Sequence, residues 1–79
     1  MTTRKIIVFT QPDSLPCEAV KMFLKSRKAK FEERCVTRDD EALHELAEKY
    51  NSRSTPTVVI DEEVVVGFDP ERLDQLLES

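Results

Sequence analysis

Ser14 and Cys17, three positions apart in the stretch TQPDSLPCEAVKMF, are the residues of this chain whose types and spacing point most directly to chemistry. Two thiols at that spacing, at the mouth of a helix, form a redox pair. Unpaired backbone N–H groups and the helix dipole stabilise a thiolate on the first, and the second, one turn on, attacks the mixed disulfide. Here the first position carries a hydroxyl. A serine hydroxyl is ionised negligibly at neutral pH without a base, and the single histidine, His44, stands in a separate helical segment with no triad evident. What Ser14 can do well is cap the helix, its oxygen accepting a hydrogen bond from the N–H of Cys17 at N3.

Cys17 and Cys35 are too few for the disulfide framework of small secreted domains, and one histidine beside them does not make a zinc site. A buried small hydrophobe is the plain reading of Cys17, since free cysteine is among the most buried residue types. Cys35 reads as a lone strand cysteine. A bridge to Cys17 requires Cα atoms within about 7 Å, which nothing in the sequence shows.

The elements that must position these groups come from a chain of 79 residues, the length of one domain spanning 1–79 with a core of marginal size. Charged residues make up 35% of it and apolar residues 39%, a globular composition rather than a disordered one. The net charge of −4, with basic residues scattered along the sequence, argues against nucleic acid as a partner. The early apolar run Ile6 to Phe9 is too short for a signal-peptide core or a membrane span, so a cytoplasmic protein is expected.

Lys5 to Phe9 is dense in branched residues, as in a strand buried on both faces. From Leu15 to Arg27 or Lys28 the period becomes helical, with Ala19 or Val20, Phe23 and Leu24 on one face. Phe31 to Thr37 reads as a second strand, interrupted on its apolar side by Arg34. Asp39 and Asp40 can cap a second helix in which Leu43, Leu46, Ala47 and Tyr50 fall at i, i+3, i+4 and i+7. After the polar loop Asn51 to Thr55 and Pro56, the runs Thr57 to Ile60 and Val64 to Val66 around Asp61-Glu62-Glu63 predict a hairpin. Gly67 ends it, Asp69-Pro70 opens a third helix, and Leu73, Leu76 and Leu77 give that helix its apolar face. The order βαβαββα predicts an α/β fold with a mixed four-stranded sheet and three helices, the βαβ crossover supplying a parallel pair and the hairpin an antiparallel one.

In this order, the segments IIVFTQPDSLPCEAVKMFL, STPTVVI and VVVGFDPERLDQLL resemble the glutaredoxins of the thioredoxin-like fold, close to the small hydrogen donors of ribonucleotide reductase. The likeness spans nearly the whole chain. It implies that the nucleophile's seat holds Ser14 and the resolving position Cys17, so that thiol–disulfide exchange is expected to be impaired, in an engineered or a natural variant alike. It implies too that Pro56 is cis, against a trans bond on the sequence alone, and that Thr55 offers its backbone to an extended thiol substrate. Gln11, Gly67, Phe68 and Asp69 join Thr55 and Pro56 as substrate-binding candidates, the backbone N–H groups at the start of the third helix being able to hold a carboxylate such as that of glutathione. Asp69 as helix cap would compete with such an anion.

No cofactor or metal is implied, because the family's iron–sulfur ligand is the cysteine missing at position 14. Glutathione is the candidate co-substrate. Glutathione-using members place a basic residue shortly before the first cysteine, where this chain has Thr10, Gln11, Pro12 and Asp13. That departure favours protein disulfides as partners, with thioredoxin reductase as reductant; the resemblance adds ribonucleotide reductase as a candidate partner, and a monomer is expected. The rival expectation, from a different class, is a binding module that holds a peptide or small thiol in the groove beside Thr55-Pro56 without catalysis.

Overall fold

Every residue of the first strand, β1 (Ile6–Thr10), is buried, and the rest of the architecture is arranged around it. The computed structural model describes residues 4–78. After β1 come α1 (Leu15–Ser26), β2 (Glu32–Cys35), α2 (Asp40–Glu48), β3 (Thr57–Ile60), β4 (Glu63–Val66) and α3 (Pro70–Glu78). The strands form one sheet in the order β2-β1-β3-β4, parallel between β1 and β2 and antiparallel elsewhere. The expected βαβαββα order and mixed sheet are present.

The strand pleat sends alternate residues of β1 into two layers. Ile6 and Val8 join Val20 and Leu24 of α1, Val58 and Ile60 of β3, Val65 of β4 and Leu73 and Leu76 of α3. Ile7 and Phe9 join Val59 with Ala42 and Leu46 of α2 on the opposite face, where the Phe9 and Tyr50 rings lie 5.7 Å apart. Helices α1 and α3 therefore cover one face and α2 the other.

Local chemistry sets the ends of these elements. Asp39 caps α2, its Oδ1 accepting from the N–H groups of Glu41 at 3.0 Å and Ala42 at 3.3 Å. Asp69 caps α3 through Oδ1, which accepts from Arg72 N–H at 3.2 Å, with Pro70 in the first helical turn.

Two expectations need correction. The second strand is shorter than Phe31 to Thr37, because it is an edge strand whose one partner among the described residues, β1, ends at Thr10 opposite Cys35. Leu43 is not an inward residue of α2 but 48% exposed. The inward line of that nine-residue helix runs through Ala42 and Leu46 at i and i+4 and is continued by Tyr50 just beyond its end, a narrow stripe that leaves the i+1 position over solvent.

The two leucines of α2 should accordingly behave differently. Leu46→Ala, at a position 1% exposed, should cost about 2–5 kcal/mol, and Leu43→Ala no more than about 0.5 kcal/mol, in urea melts monitored by circular dichroism.

Candidate active site at the carboxyl end of β1

The topology gathers the sequence candidates at one end of the sheet. The chain leaves β1 at Thr10 into the loop carrying Gln11 and Ser14. Antiparallel pairing puts Thr57, just after Thr55-Pro56, beside Phe9, and Val66, just before Gly67-Phe68, beside Thr57. Parallel pairing puts Cys35 beside Thr10. His44 lies on the exposed side of α2, outside this cluster.

Ser14 is the N-cap of α1, with extended backbone at φ −113° and ψ 116°. Its Oγ accepts from the Cys17 N–H at 3.4 Å, and its carbonyl accepts the first helical bond from Glu18 N–H at 3.1 Å. Asp13 before it is in the left-handed region at φ 59°, a conformation that aspartate tolerates better than most residues. The side chain of Leu15 projects into solvent, 84% exposed, while Cys17 is only 1% exposed. The helix entrance thus presents a hydroxyl and hides the thiol.

The peptide bond between Thr55 and Pro56 is cis, as the resemblance implied. The loop before it is held by two hydroxyl groups, those of Ser52 and Thr57, and by the backbone of Ser54. The Thr57 hydroxyl donates to the Ser54 carbonyl at 2.6 Å, which uses its one proton. The Ser52 hydroxyl, 2.9 Å away, must therefore donate to Thr57 Oγ1, and in turn accepts from Ser54 N–H at 3.4 Å. Ser52 and Thr57 are both buried, and Ser52 N–H donates to the Leu46 carbonyl at 3.0 Å, so the loop is fixed to α2. Polar residues directly before a proline and a buried strand were the available signal. Gly67, at φ +82°, directs its N–H to the Pro56 carbonyl at 2.8 Å, a backbone conformation that suits glycine. Phe68 is 42% exposed and meets the Phe23 ring edge-on at 5.9 Å.

Beneath the helix entrance lies a second network absent from the sequence reading. Thr10, 2% exposed, donates its hydroxyl to Glu33 Oε2 at 2.8 Å, and Lys21 Nζ of α1 reaches the same oxygen at 3.2 Å. Burial pushes the Glu33 carboxyl up, but the hydrogen bonds from Thr10 and Lys21 outweigh it and hold the group below its ordinary value. Lys21 is raised by its hydrogen bonds to Glu33 and Glu18. The three groups join the last residue of β1, edge strand β2 and the middle of α1.

Both cysteines are free. Cys35 is half-buried with Sγ 3.2 Å from Thr37 Oγ1, and this hydrogen bond is the main reason that its thiol is held below the ordinary value. It is the more accessible sulfur of the two.

Two outcomes are expected. Iodoacetamide should label Cys35 well before Cys17 in the folded protein, with mass mapping of the peptides as the readout. The stability that Glu33 contributes, with its folded pKa depressed, should be present in full above the unfolded glutamate pKa of about 4.3 and disappear as the pH falls through the lower folded value. Glu33→Gln should therefore melt below the parent at pH 7, and the gap should close on acidification below about pH 4.

Comparison with known proteins agrees with this geometry. The glutaredoxin family matches residues 6–65. The Gene 56 protein of Mycobacterium phage L5 is 34% identical over 74 residues, covering 92% of this chain and 72% of that protein. Among solved structures, the thioredoxin-like protein BC3987 superposes with a TM-score of 0.90 at 55% identity, covering 92% of this chain and all of the other (100%). The glutaredoxin-like protein NrdH-redoxin from Escherichia coli superposes with a TM-score of 0.81 at 29% identity, over 91% of this chain and 93% of that one. Since the family match takes in the first three strands, the helix entrance at Ser14 and the loop at Thr55-Pro56, this chain belongs to the glutaredoxin family, with its thioredoxin-like fold.

Proposed function

We propose that the chain is a glutaredoxin-like thiol–disulfide oxidoreductase whose dithiol site has become Ser14-x-x-Cys17, leaving disulfide exchange impaired. The observation that carries this reading is the pairing of Ser14 as helix cap with Cys17 at 1% exposure. In dithiol exchange a thiolate at the helix entrance attacks one substrate sulfur and expels the other as thiolate. The second cysteine then attacks the mixed disulfide, so that the substrate gains two electrons and the protein is left with a disulfide. At position 14 there is no sulfur to form the mixed disulfide. Cys17 has the resolving position, under the first turn of α1, where a substrate disulfide does not reach it.

The groove elements support protein disulfides over glutathione as the partner class. Asp13 stands beside the helix entrance, where its charge opposes an anionic tripeptide. The glutaredoxin-like protein NrdH-redoxin, with its thioredoxin-like activity profile, fits the same choice; for this chain the reading makes thioredoxin reductase a candidate electron source and ribonucleotide reductase a candidate acceptor.

A second reading, a binding module without catalysis, is favoured by one observation. Thr55 is half-buried in the loop just before β3, and its N–H and carbonyl make no backbone hydrogen bond with another described residue, leaving an edge for an extended peptide.

Ser14→Cys should raise the rate of insulin disulfide reduction by dithiothreitol at least about tenfold over the parent. Equal rates would overturn the assignment of position 14. If neither protein turns over, the binding reading replaces the catalytic one.

A further inference from the structure

At the opposite pole of the sheet from Ser14, a cavity of about 630 Å³ opens between the end of α1, the start of β1 and α3. Among the described residues lining it, Arg4, Arg27, Lys28 and Lys30 carry positive charge against Asp74 and Glu78, and Arg4 Nη1 is itself paired with Asp61 Oδ2 at 2.8 Å, outside the lining. In sequence these cations look dispersed, but the fold brings Arg4 to the basic segment that follows α1. We propose that this cavity binds a small organic anion: a phosphate or carboxylate head joined to a compact apolar body. The inference is independent of the redox reading.

Three features carry it. The size lies within the range of small-ligand sites, and Ala29 and Leu77 add apolar surface to the lining. The Arg27 guanidinium is pre-set: its Nε and Nη2 donate to the two Asp74 oxygens at 2.8 and 3.1 Å, and its carbon lies 4.3 Å from the centre of the Phe23 ring. Because Asp74 is engaged there, it does not compensate the two lysines. Lys28 and Lys30 form no ion pair with another described residue.

Helix termination does not account for those lysines either. The last turn of α1 is closed by backbone bonds, with Lys28 N–H donating to the Lys25 carbonyl and Ala29 N–H to the Leu24 carbonyl, both at 3.0 Å. Lys28 itself sits in the left-handed region at φ 57°, the position where a helix most readily takes glycine. A long cation is thus kept at the cavity against local backbone preference. On a chain of net charge −4, this pole is also where an anion is drawn rather than repelled.

The test is a ¹H–¹⁵N NMR titration of the full chain with phenyl phosphate at constant ionic strength, beside inorganic phosphate. Saturable shifts confined to the amides of Arg27 to Lys30 and Leu77 are expected, with inorganic phosphate at least about threefold weaker because it lacks the apolar body. The double variant K28E/K30E, changed at two exposed positions, should bind at least about tenfold more weakly while melting like the parent. Lys28→Gly, which suits the left-handed backbone, supplies a second variant that retains the fold and should also lose affinity. Shifts that do not saturate, that spread over the surface, or that persist unchanged in the variants would overturn the proposal. So would equal affinity for inorganic phosphate, which reduces the site to a charged surface.

Discussion

The double-sided burial of β1 is the constraint on which the rest of the structure depends. Five consecutive residues with no solvent-facing side chain require a layer on each face and a strand on each edge. The edges come from β2 and β3, and the layers from α1 with α3 and from α2. Each fully buried aliphatic side chain contributes roughly 1.5–3 kcal/mol relative to an exposed one, so the strand both organises the core and anchors it. Since β1 is parallel to β2 and antiparallel to β3, its carboxyl end also marks where the loop to α1, the start of β3 and the end of β4 must meet.

That meeting point holds its shape through polar groups rather than apolar ones. The Ser52, Ser54 and Thr57 network satisfies each of its buried hydroxyl groups in a single consistent direction, and Gly67 N–H closes the loop from the other side. The Thr10, Glu33 and Lys21 network fastens α1 to the two parallel strands just below its entrance. The entrance of α1, where Ser14 presents a hydroxyl, is therefore held between two polar networks. The donors of the first turn of α1 are used in part by the Ser14 side chain.

Much of this was legible in the sequence, and the failures have particular causes. The order of elements, the hairpin, the capping aspartates and the Ser14 cap all follow from short-range rules that hold within a few residues. Leu43 faces solvent although it fits the helical period, because periodicity alone does not say which of two adjacent stripes of a short helix meets the sheet. The second strand is shorter than its residue pattern suggests because its length depends on its partner. Ser52, Thr57, Thr10 and Glu33 gave no strong local signal, as a serine or a glutamate reads as surface until a distant strand or helix covers it.

Sequence by itself determined that position 14 carries a hydroxyl, that Cys17 follows at helix spacing, and that a strand buried on both faces leads into them. These are statements about covalent identity and local backbone preference. Tertiary structure decided that Cys17 is enclosed while Cys35 is accessible, that Thr55-Pro56 and Gly67-Phe68 lie at the same end of the sheet as Ser14, and that four cations gather at the opposite pole. The physical reason is that exposure, ion pairing and cavity formation arise from residues far apart in the chain, brought together only by strand pairing and helix packing.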